Sequence, residues 1–291
     1  MKIFVTGSEG LIGKAFCRMS DDEQVTRFDK ALDAKMDILN IDSIDEAIIA
    51  SEPDLIVHLA AQSGVEEARA DASAAWRLNL LGTLNVLDVA MLYKVPVLAA
   101  SSNHVYGTQD TYPTPESSPM NQLDTYSATK IACDVLVRSY WHNYGLPTAV
   151  IRNTNCYGPA SPHIHHIVET AILHAMDGRD LQLRTDGTIK KGYLYVDDAA
   201  NAYRVVGKAL VNGDVSGQAF NASTDSISAM ELARKIYEMM GNSTNSVWAG
   251  PPFYDQMDEY LDSYKLHGLG WKPIYTLEEG LKLTIEGFKT R

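Results

Sequence analysis

Tyr126 and Lys130 stand four residues apart in the run YSATK, and Ser102 lies upstream at the end of a predicted strand. Four residues is about one helical turn, so both side chains leave the same face of a helix. A phenol beside an ammonium is an acid-base pair. The positive charge favours phenolate and is expected to pull the tyrosine below its ordinary value of about 10. A proton acceptor tuned in this way suits the oxidation of an alcohol at neutral pH. The same spacing arises by chance in many helices, so the elements that hold the pair decide its meaning.

Those elements alternate. KIFVTG (2–7), VTRFD (25–29), DLIVHLAA (54–61), PVLAASS (96–102) and TAVIRN (148–153) read as strands. They are continuous in apolar character, as strands buried on both faces are. Helical patterns fill the gaps at 10–19, 43–51, 72–93 and 126–144. Strand and helix alternating in this manner predict an α/β fold with a doubly wound, Rossmann-like parallel sheet. After about residue 155, Pro159, Pro162, Gly178, Gly187, Pro251 and Pro252 break the regularity. The predicted division is a dinucleotide-binding domain over 1–155, to which later segments return, and a smaller, mainly substrate-binding domain over 156–291.

The first strand ends in TGSEGLIG, with Gly7, Gly10 and Gly13 three residues apart. A strand turning into a helix here aims free N–H groups, those of Leu11 and Ile12 among them, at an anionic pyrophosphate. Gly7 permits the turn, Gly10 the approach of a phosphate, and Gly13 the packing of helix on strand. Asp29 closes the second strand, where a carboxylate accepts from the adenosine ribose and repels a 2′-phosphate. That favours NAD, while Lys30 beside it keeps NADP open. Asp37, followed by Ile38, is placed to meet the adenine amino group, or else is a solvated loop carboxylate.

The chain has 291 residues, 45% hydrophobic and 21% charged, ordinary values for a soluble globular protein. A net charge of −12 without any Lys/Arg-rich block argues against a nucleic-acid or anionic-membrane surface. Cys17, Cys133 and Cys156 are widely spaced and read as reduced, buried thiols. Met1 runs straight into a strand, and no apolar stretch approaches the roughly 20 residues of a membrane span. A cytoplasmic protein is expected. His163, His165 and His166 cluster, but their spacing suits a turn entering a helix better than a metal site, and no metal is expected.

With the glycine loop, YSATK and SSNHVYG (101–107) together, the chain resembles the extended short-chain dehydrogenase/reductase family, above all its nucleotide-sugar epimerases and dehydratases. HLAA (58–61), NLLGTLNVLDVA (79–90), IRNTNCYGP (151–159), GYLYVDDAA (192–200) and LGWKPIYTLEEGL (269–281) look like that group's landmarks, in order. The resemblance implies NAD as cofactor and a nucleotide-diphosphate sugar as substrate. It makes Tyr126 the catalytic base, Lys130 the residue that holds the nicotinamide ribose, and Ser102 the partner of the sugar oxygen being oxidised. Leu59, Ala60, Ala61 and Ser63 would line the cofactor cleft, Asn79 support it, and Asn153 pack near the nicotinamide. Asn155 would meet the sugar diphosphate. Segments 79–93 and 126–144 resemble helices that pair across a homodimer interface, and a homodimer is expected; Ile131, Val135, Leu136 and Tyr140 give apolar spacing suited to burial, in the core or in the dimer.

Two departures from the family's pattern bear on the reaction. The 4,6-dehydratases place acids just after the catalytic Ser or Thr, whereas this chain has Asn103 and His104. Asparagine there resembles epimerases. His104 is a base in reserve or a histidine packed at a strand end. Where the family has a diphosphate arginine this chain has Lys191, which lacks the bidentate fork, and a second family arginine has no counterpart in FYDQMDEY (253–260). The reading is C4 epimerisation through a transient 4-keto sugar. Its alternatives are a 4,6-dehydratase, a net sugar or uronate dehydrogenase or reductase, and a scaffold that kept the fold.

Overall fold

The computed structural model describes residues 1–159, 161–162, 164–224, 226–250 and 258–290. From the N-terminus the order is β1 (Lys2–Thr6), α1 (Leu11–Met19), β2 (Gln24–Phe28), α2 (Ile41–Ser51) and β3 (Leu55–His58). Short helices α3 (Val65–Ala70) and α4 (Ala72–Trp76) follow, then a π-type turn at Arg77–Leu81 leading into α5 (Gly82–Tyr93). Next come β4 (Val97–Ala100), α6 (Thr125–Tyr144), β5 (Thr148–Asn153), β6 (Asn155–Tyr157), α7 (Ile167–Met176), β7 (Leu181–Gln182) and β8 (Lys190–Tyr195). The chain continues with α8 (Val196–Val211), β9 (Gln218–Ala222), β10 (Ser226–Ser228), α9 (Ala229–Met239), β11 (Val247–Trp248), α10 (Tyr264–His267) and α11 (Leu277–Lys289).

Six strands form one sheet in the order β2-β1-β3-β4-β5-β9, every pair parallel. β3, β4 and β5 are buried almost throughout, because side chains of alternating direction meet helices on both faces. Ile3, Val5, Val57 and Ile151 join a core with Phe16 and Val206 on the α1/α8 face. Phe4, Ile56, Val97 and Val150 join Ile48, Val86 and Val137 on the other. Each such side chain contributes roughly 1.5–3 kcal/mol by burial, so the two apolar layers fix the register that the site depends on. The strand order reverses at β1, with β2 on one side and β3 on the other. The carboxyl ends of β1 and β3 therefore open a crevice, the usual ligand position in such sheets.

The sixth strand, β9, and α8 return to this sheet from beyond residue 155. A three-stranded sheet β10-β8-β6 and the pair β11-β7 complete the strands. The GYLYVDDAA and LGWKP segments meet in the structure. Trp271 is buried, its Nε1 donates to the Asp198 carbonyl at 3.0 Å, and the Asp198 carboxylate accepts from the Ile274 and Tyr275 amides at 2.6 and 3.3 Å. Among the described residues no helix is long and apolar enough to cross a membrane.

Candidate active site

The glycine loop is built by close contact. Gly7 has φ +69°, and a Cβ there would lie 2.5 Å from the Ala60 nitrogen. A Cβ on Gly13 would lie 2.2 Å from the Gly7 carbonyl oxygen. Gly10 differs: its Cβ would meet only that same oxygen, at 3.2 Å. Gly10 N-caps α1 without a capping side chain, so no side chain takes up the first amides of the helix, and Leu11 and Ile12 line the crevice. That is a cradle for an anion rather than a closed cap. Asp29 anchors the loop, its Oδ2 accepting from the Glu9 amide at 2.9 Å while Oδ1 accepts from Ala31. Lys30 is ion-paired to Asp37 at 2.9 Å, and Asp37 also accepts from the Leu39 amide at 3.0 Å. The adenine reading of Asp37 therefore has to share that carboxylate with its own loop.

At the other wall, Asp124 caps α6 by accepting from the Ser127 amide and hydroxyl at 3.0 and 2.6 Å. This sets the first turn so that Tyr126 reaches the cleft, with Lys130 buried one turn on. Ser102 caps the short turn Asn103–Val105, its Oγ accepting from the His104 amide at 3.2 Å. Ser102 lines the cleft with Tyr126, and its hydroxyl eases the Tyr126 phenol downward. The His104 ring meets the Tyr126 ring edge-on at 5.9 Å.

The electrostatics of the pair correct the expectation drawn from spacing. Lys130 does not pull Tyr126 down: burial pushes the phenol up to about 12, and the Ser102 hydroxyl only partly opposes it. The Lys130 ammonium donates to the Ala100 carbonyl at 3.1 Å and is itself lowered by burial. Loss of water around the buried phenol dominates, and the Asp124 carboxylate adds to it.

A cleft of about 1550 Å³ joins the two walls. It is lined by Gly7, Gly10, Leu11, Ile12 and Gly13, by Asp29, Asp37 and Ile38, and by Leu59, Ala60, Ala61 and Ser63. Ser102, Asn103, His104, Tyr126, Asn153, Asn155 and Lys191 complete the expected set. Asn79 and Lys130 stand behind the wall, in a small cavity with His58. Asn79 accepts from the Gln62 amide at 2.8 Å and donates to Thr129 Oγ1 at 2.9 Å, which ties the segment after β3 to α6. His58 bridges Thr6 and Thr83 at 2.7 and 3.0 Å, and burial holds it neutral, down at about 3.

Among the cleft residues that escaped the sequence reading are two charged ones, Arg184 and Glu259. Glu259 accepts from Lys191 Nζ at 3.1 Å, and its other oxygen lies 3.5 Å from Asn103 Nδ2. Of the segment searched for an arginine, 253–257 lie outside the described residues. His163 does too, while His165 and His166 line the cleft at the start of α7. Among the described residues no cluster could hold a metal ion.

Residues 3–223 match the NAD dependent epimerase/dehydratase family. The chain belongs to that family. Like the rest of the epimerase/dehydratase family, it falls among the extended short-chain dehydrogenases/reductases, as its motifs led one to expect, and the family is NAD-dependent. It is 30% identical to the UDP-glucose 4-epimerase of Mycolicibacterium smegmatis, covering 100% of this chain and 99% of that one. It is 28% identical to the dTDP-glucose 4,6-dehydratase of Neisseria meningitidis, over 99% and 93%. The UDP-glucose 4-epimerase of Thermotoga maritima, solved with UDP-glucose, superposes with a TM-score of 0.91 at 25% identity, over 100% and 99%. Isomerases and lyases of the family are thus similar to this chain in near-equal degree, and the site itself must separate them.

Proposed function

We propose that this chain is an NAD-dependent nucleotide-sugar 4-epimerase. The observation that carries the reading is Ser102 and Tyr126 standing together in one wall of a cleft whose other wall is an uncapped glycine loop. The cleft volume exceeds the usual several hundred Å³ of a one-ligand site, which suits a dinucleotide and a sugar nucleotide together. The Gly10–Gly13 amides would hold the pyrophosphate and Asp29 the adenosine ribose. With Lys30 engaged by Asp37, the case for a 2′-phosphate is weak. Bound NAD supplies the hydride acceptor and donor, and a cationic ring whose charge favours phenolate.

The chain's own residues then handle the proton. Ser102 accepts from the His104 amide, so its hydroxyl is free to orient Tyr126 and the sugar oxygen. Tyr126 takes the hydroxyl proton as the 4-keto sugar forms, and returns it once the sugar has turned its other face. Lys130, fixed by the Ala100 carbonyl, would hold the nicotinamide ribose. Elimination needs a further acid and base at C5 and C6. Asn103 is neither, and Glu259 is held by Lys191 as a carboxylate of low basicity. The dehydratase reading keeps one observation, the His104 ring edge-on to Tyr126.

The region of β6, β8 and β10 would hold the sugar nucleotide and the six-stranded sheet the cofactor. Exposed Leu92, Val135, Trp141 and Tyr144 on the packed helices α5 and α6 support a homodimer.

The deciding experiment incubates the purified protein, without added cofactor, with a panel of nucleotide sugars in heavy water. A 4-epimerase yields an isomer free of deuterium, and a dehydratase yields a 4-keto-6-deoxy product carrying it. A net dehydrogenase turns over only when NAD is supplied. Deuterated product, or turnover unchanged in Tyr126→Phe, would refute the epimerase reading.

A further inference from the structure

Lys191 stands where the resemblance sets a diphosphate-binding arginine, yet its ammonium already has an anion. Nζ lies 3.1 Å from Glu259 Oε1, and the two side chains are only 21% and 24% exposed. Glu259 is held in place by its backbone as well. Its amide donates to the Lys190 carbonyl at 2.8 Å, and its carbonyl accepts from the Gly192 amide at 3.0 Å, so it is clamped on both sides of Lys191. Its second oxygen faces Asn103 Nδ2 at 3.5 Å, at the turn that follows Ser102. Burial works against the charge, but Lys191, His104 and Asn103 outweigh it, so the carboxyl stays below its ordinary range. Asp258 beside it, accepting from the Lys190 amide, adds a further negative charge to the same strand edge.

We propose that Glu259 is a specificity-determining residue that competes with the substrate's diphosphate for Lys191. The proposal rests on the nucleotide-sugar reading above. Binding then exchanges one anion for another at a single ammonium. A diphosphate, with more charge than a carboxylate, displaces Glu259; a monophosphate does so less well. The pair therefore sharpens the choice of diphosphates over monophosphates, at a cost in affinity for both. Once displaced, the carboxylate lies beside Asn103 as an acceptor for sugar hydroxyls.

The test is calorimetric titration of the NAD-loaded protein with UDP, dTDP and UMP. Glu259→Gln is expected to bind UDP and dTDP roughly tenfold more tightly, the size of coupling found between neighbouring charges, and to narrow the gap between UDP and UMP. In the Lys191→Met background the same substitution should change nothing, because the competitor acts through the lysine. Glu259→Ala serves as the second variant, and unchanged NAD affinity shows that each variant is folded. Weaker or unchanged UDP binding in Glu259→Gln and Glu259→Ala overturns the competition. A gain that survives Lys191→Met overturns it too, since the effect is then general repulsion. If UDP and dTDP bind no variant while NAD still does, the nucleotide-sugar reading falls and this proposal with it. If they bind but ignore Glu259, only this proposal falls.

Discussion

The tyrosine proposed to accept a proton is here buried in surroundings that keep its own proton on. Tyr126 is pushed up to about 12 by burial, and a buried lysine one turn away does not reverse this. The sign of the consequence follows. The phenol is neutral through the ordinary pH range when the protein is stripped of cofactor, and phenolate forms only as pH rises toward 12. A cation bound nearby moves that midpoint down. The difference in tyrosinate absorbance between wild type and Tyr126→Phe should therefore emerge only in strong alkali without NAD⁺, and at distinctly lower pH with it. A cofactor-independent midpoint would sink the argument. Tyr126→Phe should lower kcat by about 10²–10⁴-fold, the usual contribution of a positioned acid-base group, with NAD affinity preserved.

Elements, rather than single side chains, determine which substitutions harm folding and which harm binding. Gly7→Ala and Gly13→Ala would drive a methyl into backbone at 2.5 and 2.2 Å, so both should lower the melting temperature. Gly10→Ala meets only one oxygen at 3.2 Å. It should melt near wild type and lose NAD affinity, because the methyl enters the cradle and not the protein. Calorimetry with a parallel melt separates the two outcomes, and an unstable Gly10→Ala with normal NAD binding contradicts the assignment. A second element-level device is the ion pair that ties α6 to β5. Asp134 takes both Nε and Nη2 of Arg152 at 2.8 and 2.9 Å, all of it buried, while Arg152 Nη1 donates to the Tyr106 hydroxyl at 2.7 Å. That network fixes α6, the helix of Tyr126, against the turn after Ser102. Removing one partner leaves an uncompensated charge, so Asp134→Asn should cost about 3–5 kcal/mol in chemical denaturation. Burial tends to raise the Asp134 carboxyl, but the Arg152 and Arg138 interactions outweigh it and hold it low. Its contribution is therefore present above the ordinary value of 3.8 and lost as pH falls through the lower folded value. The mutant should lack that part of the acid slope.

What the chain revealed before folding was whatever it encodes locally. TGSEGLIG and YSATK are short, and their strand and helix settings follow from neighbouring periodicity, so their meeting in one cleft was legible in the order of elements. Three things were not. β9 reads QAFNA, with no β-branched residue, and lies far along the chain from β5, beside which it pairs. Glu259 is 156 residues from Asn103 and comes to it only through the pairing of its backbone with β8. The Tyr126 shift depends on desolvation, which is a property of the packed interior and not of spacing. The whole molecule poses a last question of the same kind. Val135 is 48% exposed, Leu92 68% and Tyr144 61%, on helices α5 and α6 whose inner faces already carry Val86, Val137 and Tyr140. Single exposed apolar residues are ordinary, but several on two adjoining helices suit a face covered by a second copy. A carboxylate placed there must be desolvated on association, so Val135→Glu should convert a dimer into a monomer in sedimentation equilibrium while leaving the fold intact by circular dichroism. Because the same helix α6 carries Tyr126 and Lys130, the monomer should also lose turnover before it loses NAD. A wild-type chain that sediments as a monomer at micromolar concentration would end the dimer proposal, and a Val135→Glu variant that stays dimeric would move the interface to another face.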